Sequence, residues 1–197
     1  MRRLLPLLLV FALSCAAGAT VIFDNLGAQS YGVDSINGVG PLAGSFSTGG
    51  SSFSFAGIGL KLEDLGAPGG SFTIQLLADN NTSPGTPIYT IATVMDSSLT
   101  DSLQDYFFAL AQPQVLDPNT RYWIGISSND STAGWSWSVD TSGIGVDGQY
   151  FANTNGIFTD DNGGYQMQVS DVPEPATLVT LGTGVAGLLG VMRRKLG

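Results

Sequence analysis

The chain has 197 residues, a formal net charge of −9, no histidine and one cysteine, Cys15. That inventory excludes a Ser-His-Asp triad, a Cys-His pair, an internal disulfide and the usual zinc ligand sets. Residues 20–171 hold fifteen acidic residues against two basic ones, Lys61 and Arg121; such a surface repels phosphate backbones, so no nucleic acid is expected as a partner.

At the N-terminus, Arg2 and Arg3 precede an apolar run from Leu4 to Leu13, and small residues follow through Ala17-Gly18-Ala19. Charge, apolar core and A-x-A in that order read as a secretory signal peptide over residues 1–19, cut after Ala19. This implies the Sec export machinery as a partner. Cys15 invites a lipoprotein reading, but Ala12-Leu13-Ser14-Cys15 lacks leucine three positions before the cysteine.

Residues 20–171 have the length of one domain. Short apolar runs alternate with turn residues, which predicts an all-β, two-sheet, jelly-roll-like β-sandwich of about nine strands. Thr20 to Phe23 opens it. Residues 27–41 are glycine-rich and read as irregular. Ser45 to Thr48 reads as a brief edge pairing. In Ser52 to Glu63, Phe53 and Phe55, then Ile58, Leu60 and Leu62, are assigned to one face. Ser71 to Ala78 follows as a strand. Asp79 to Pro87 is rich in Asn, Pro and Gly and reads as a loop. Ile88 to Met95 and Gln104 to Leu110 are strands. Asp117-Pro118-Asn119-Thr120 suits a type I turn. Arg121 to Ser127, Trp135 to Asp140, Gln149 to Ala152 and Gly164 to Ser170 complete the set.

The blocks A-G-S-F-S-T, G-I-G-L-K-L, I-Q-L-L-A-D-N-N-T-S-P-G-T-P-I and L-D-P-N-T-R-Y-W-I-G-I, followed by Trp135 and Trp137, resemble the "choice-of-anchor" surface modules, most closely the R type. The resemblance spans most of Phe23 to Val169. These motifs form the fold, and the resemblance transfers no catalytic residue.

Chemistry-bearing residues are few. A Ser-Lys dyad has only Lys61 to draw on, and alternation places Lys61 opposite Ile58, Leu60 and Leu62, in water. Two carboxylates would suffice for glycoside hydrolysis, but Asp predominates here in turns, where it caps backbone. The chain is therefore expected not to be an enzyme. Trp123, Trp135 and Trp137 are the candidate glycan-binding residues, because flat rings stack on sugar faces. Trp135 and Trp137 share one sheet face: outward they form a platform, inward they fill the core with serines outside. Trp123 opposes Tyr122, Ile124 and Ile126, so it is exposed or covered by a loop. Asp160 and Asp161, in Asp160-Asp161-Asn162-Gly163, are weak calcium candidates without the EF-hand spacing. No other cofactor is implied.

The tail, 172–197, has three physically different parts. In Val172-Pro173-Glu174-Pro175, two prolines block helix and sheet and hold an extended segment that a processing enzyme can grip. Residues 176–192 carry no charge; as a helix they would run about 25 Å, near the lower limit for a transmembrane helix. Arg193, Arg194 and Lys195 would stay cytoplasmic and fix the orientation. Gly182-Thr183-Gly184-Val185-Ala186-Gly187 matches G-x-G-x-x-G, but it lies inside the apolar span and lacks the strand and acidic residue of a dinucleotide site.

This tripartite tail resembles the PEP-CTERM sorting signal of Gram-negative bacteria. The resemblance implies an exosortase as processing partner and an inner-membrane-anchored precursor. It also implies a mature form at the cell surface or in the extracellular matrix, often alongside exopolysaccharide. The expected role is structural or interactive, with a carbohydrate-binding module as the alternative and a matrix hydrolase third.

Overall fold

The computed structural model describes residues 19–37, 41–66, 69–147, 149–153, 156–159 and 164–171. Residues 1–18, which cover nearly all of the expected signal peptide, Asp160 and Asp161, and the whole tail from Val172 lie outside them. The transmembrane helix expected at 176–192 is among these. No helix among the described residues is long and apolar enough to cross a membrane.

Among the described residues the chain forms twelve strands, not nine. They are β1 (Val21–Asp24), β2 (Gly32–Ser35), β3 (Leu42–Ser47), β4 (Phe53–Asp64), β5 (Ser71–Asp79) and β6 (Pro84–Met95), then, after a 3₁₀ turn at Asp96–Ser98, β7 (Gln104–Leu116), β8 (Arg121–Ser127), β9 (Ala133–Trp137), β10 (Tyr150–Asn153), β11 (Gly156–Thr159) and β12 (Met167–Ser170). They make two six-stranded sheets. One runs β1-β12-β4-β9-β2, with β7 on the other edge of β4; the second runs β11-β10-β3-β8-β5-β6. Every pairing is antiparallel. The architecture is thus all-β, with the core between the sheets.

β4 shows how the core is filled. Phe53 and Phe55 are odd-numbered; Ile58, Leu60 and Leu62 are even-numbered. A regular strand would send the two sets to opposite faces. All five nevertheless share one buried cluster. The pairing with β7 slips between Phe55, opposite Gln114, and Gly57, opposite Ala109. This bulge resets the phase, and Pro113 falls within it, where a missing N–H costs no ladder bond. Across the core, β5 contributes Phe72, Ile74 and Leu76, and β8 contributes Tyr122, Ile124 and Ile126.

Four expectations need correcting. Residues 27–41 are not wholly irregular, because β2 pairs there with β9. β3 is not an edge strand; it lies between β10 and β8. β6 begins at Pro84, so Asp79 to Pro87 is mostly hairpin. The turn occupies Asn81 and Thr82 with φ of 55° and 70°, and Asn80 and Ser83 exchange backbone bonds of 2.8 and 3.2 Å. Two positive φ values in a two-residue loop define a type I′ turn. Finally, Asn119 has φ 51°, the type II signature at the third turn position rather than type I.

Candidate functional site

The domain opens and closes at one place. β12, its last strand, pairs with β1 on one edge and β4 on the other. One step beyond the ladder, Thr20 N–H donates to Asp171 Oδ1 at 2.6 Å, and Asp171 N–H donates back to Thr20 O at 3.1 Å. Met167, Val169 and Ser170 are buried. Asp171 is therefore a fixed exit point. Pro173, Glu174, Pro175, Arg193, Arg194 and Lys195 follow it outside the described residues.

The approach to that exit is held by two buried amides that sequence reading missed. Asn25 Oδ1 accepts from Met167 N–H at 2.7 Å, and Asn25 Nδ2 donates to Tyr165 O at 3.3 Å. Gln166, with 0% exposure, donates from Nε2 to the carbonyls of Asn25, Leu26 and Ala28 at 3.2, 3.3 and 2.8 Å. Its Oε1 accepts from Ser136 Oγ–H at 2.6 Å. These bonds pin the loop after β1 across β9 and β12. A lone Gln or Asn carries no sequence signal for such a role; only the fold shows which carbonyls converge on it.

The tryptophans do not form an outward platform. Trp135 has 0% exposure and belongs to the main core; Trp137 is half-buried against it. The neighbouring serines are not outside either: Ser136 and Ser138 are buried. The reason is the loop over residues 25–31, which covers that second face through Gln166 and a short Ser30–Ser136 hydrogen bond. Trp123 does lie opposite the main core, but it too has 0% exposure, under Ala43, Leu77 and Tyr150. Its Nε1–H donates to Asp79 Oδ1 at 2.8 Å. Beside it, the Arg121 guanidinium sits 4.3 Å from the Tyr150 ring centroid.

The carboxylates among the described residues are largely engaged. Asp96, fully buried, accepts from Gly70 N–H, Ser131 Oγ–H and Thr132 N–H at 3.1, 2.6 and 2.9 Å. Asp64 accepts from Thr132 Oγ1–H at 2.6 Å. Lys61 is not free in water; it pairs with Asp105 at 3.1 Å. Tyr165 donates to Asp34 at 2.7 Å, and its burial, followed by that bond and the Asp34 charge, pushes the phenol well above its ordinary value. Among the described residues no group of three or more acidic side chains converges to hold a metal. An open cavity of about 600 Å³ lies near one end of β5 and β8, lined by Ser71, Thr73, Ser127 and Asp130 among others. It is hydroxyl-rich, and Ser128 Oγ–H, also in its lining, donates to Asp130 Oδ1 at 3.2 Å.

The decisive comparison concerns the tail. Residues 171–195 match the PEP-CTERM protein-sorting motif. The tail is similar to a PEP-CTERM signal. The match supports an exported protein that an exosortase sorts by way of a membrane-anchored precursor. It begins at Asp171, so the PEP-CTERM signal starts where the last strand's ladder ends. No curated protein matches the chain.

Proposed function

We propose that this is an exported bacterial surface or extracellular-matrix protein with a structural or interaction role and no catalysis of its own. The observation that carries the reading is the PEP-CTERM match beginning at the exit of β12. Leader removal by the Sec pathway, anchoring by residues 176–192 and orientation by Arg193, Arg194 and Lys195 complete the route. Exosortase action near Pro173-Glu174-Pro175 then places the domain at the surface, in company with exopolysaccharide. The two-sheet architecture is compatible with a jelly-roll-like choice-of-anchor module, and we read the domain as one. A non-catalytic role is supported by the engagement of Asp64 and Asp96 in structural bonds. With Trp123 and Trp135 buried, no specific observation favours the glycan-binding alternative.

The test is the intact mass of protein recovered from cell surface and medium, for wild type and Glu174→Ala. Loss of the C-terminal span in wild type alone is the expected result. An uncleaved span in both would make the tail a simple membrane anchor and overturn the surface reading.

A further inference from the structure

We propose that cutting the Ala19–Thr20 bond gives Thr20 an α-ammonium that Asp171 receives as an ion pair, tying the new N-terminus to the first residue of the sorting motif. The proposal rests on the reading that residues 1–19 are removed on export.

The geometry is set by the ladder rather than by flexible side chains. Val21 is paired with Ser170, which brings Thr20 beside Asp171. The Thr20 nitrogen already lies 2.6 Å from Asp171 Oδ1 as an amide donor, closer than the usual N–H···O separation of about 2.9–3.0 Å. The return bond from Asp171 N–H to Thr20 O at 3.1 Å fixes the carboxylate-bearing residue in turn. Thr20 is exposed and precedes the first strand, so the bond to be cut lies outside the sheet.

The chemistry is a hydrolysis by an export peptidase, with water as co-reactant. The C–N bond of the Ala19–Thr20 amide breaks. Water's oxygen forms the new carboxylate on Ala19, and the nitrogen departs on Thr20, protonated at neutral pH because α-amines titrate near 7.7–8.0. One donor N–H becomes three on a unit positive charge, at a nitrogen that already faces a carboxylate. Residues 20–171 contain only two other cations. Lys61 is taken by Asp105, and Arg121 lies over Tyr150. The new charge therefore arises on a strongly acidic domain, beside its partner. The uncut chain has the amide bond alone, so the ion pair exists only after processing.

The test uses exported protein recovered from cells. Its N-terminus is sequenced. Its α-amine is then titrated by pH-dependent acylation of the N-terminal peptide, read by mass, in the folded protein and in urea. The expected start is Thr20. The expected midpoint in the folded protein is about half a pH unit above that in urea, the size an exposed ion pair allows. Folded Asp171→Asn should return to the urea value. The midpoint, unlike the absolute rate, is insensitive to steric shielding by the fold. A start elsewhere would overturn both the cut after Ala19 and the ion pair. A start at Thr20 with equal midpoints folded and in urea would overturn the ion pair and leave the export reading intact.

Discussion

The ring of Trp135 stacks on that of Tyr165, with 4.5 Å between centroids and 18° between planes. Each ring also satisfies its polar atom: Trp135 Nε1–H donates to Gln166 O at 2.9 Å, and Tyr165 Oη–H donates to Asp34 Oδ2. On the facing sheet, Gly44 lies against the pair. A Cβ there would come within 3.5–3.6 Å of Met167, Trp135 and Tyr165. Trp135, a binding candidate in sequence, is instead packed with Tyr165 in the centre of the core.

Trp135→Ala should therefore destabilise the domain by about 3–5 kcal/mol, the range for emptying a large buried aromatic site. Trp137→Ala, on a half-buried residue, should cost about 1–2 kcal/mol. Urea midpoints followed by tryptophan fluorescence and circular dichroism measure both. A loss under 1 kcal/mol at Trp135 would contradict its place in the core.

Tyr165 gives the fold an alkaline limit. Its phenol is held neutral, with its pKa raised above the ordinary tyrosine value of about 10. The unfolded chain releases this proton near pH 10 and the folded one does not. The contribution is therefore fully present below pH 10 and is lost as pH rises towards the folded value, at up to about 1.4 kcal/mol per pH unit. Urea midpoints should fall between pH 10 and 11. Tyr165→Phe should start about 1 kcal/mol lower, having lost its bond to Asp34, and should show a shallower decline. Equal slopes would refute the assignment.

Thr82 is a β-branched residue at φ 70° in the type I′ turn between β5 and β6. Glycine adopts that conformation without strain, and asparagine tolerates it better than threonine. Thr82→Gly should raise stability by about 0.5–1 kcal/mol, with the relief of strain exceeding the added freedom of the unfolded chain. A lowered thermal midpoint would show that Thr82 makes a compensating contact.

Gly70 and Gly49 should respond oppositely to alanine. A Cβ at Gly70 would lie 2.2 Å from Asp130 O and 2.8 Å from Ser131 N, whereas Gly49 has nothing within 4 Å. Gly70 also donates to the buried Asp96. Gly70→Ala should cost more than about 2 kcal/mol, and Gly49→Ala should stay within about 0.5 kcal/mol of wild type. Asp96→Asn should match Gly70→Ala in severity, since one amide oxygen cannot accept all that the carboxylate accepts. Chemical denaturation of the three variants decides this.

What the sequence made legible followed from local rules. Period-two alternation located β5 and β8 to within a residue, because each carries an uninterrupted alternating apolar set on the core face, Phe72-Ile74-Leu76 and Tyr122-Ile124-Ile126. It was blind to the bulge in β4, since the phase change from Phe55 to Ile58 becomes one face only through the pairing with β7. β2 and β11 were missed because short strands rich in Gly, Ser and Thr owe their form to a partner. The tail was legible because its proline triplet, uncharged run and basic end form a linear pattern that needs no tertiary partner to be read, and that pattern matches the PEP-CTERM motif. The roles of Asn25, Gln166 and Asp96 depend on carbonyls and amides brought together from distant segments, which no local pattern announces.

β12 is an interior strand, bonded along both edges, and the chain leaves the domain from its end. Any tension applied at Asp171 therefore enters the middle of a sheet and is divided between the β1 and β4 ladders. An edge strand in this place would peel one bond at a time. If the domain is held by its C-terminus, as proposed above, that arrangement makes resistance to pulling a property of the β1–β12–β4 register.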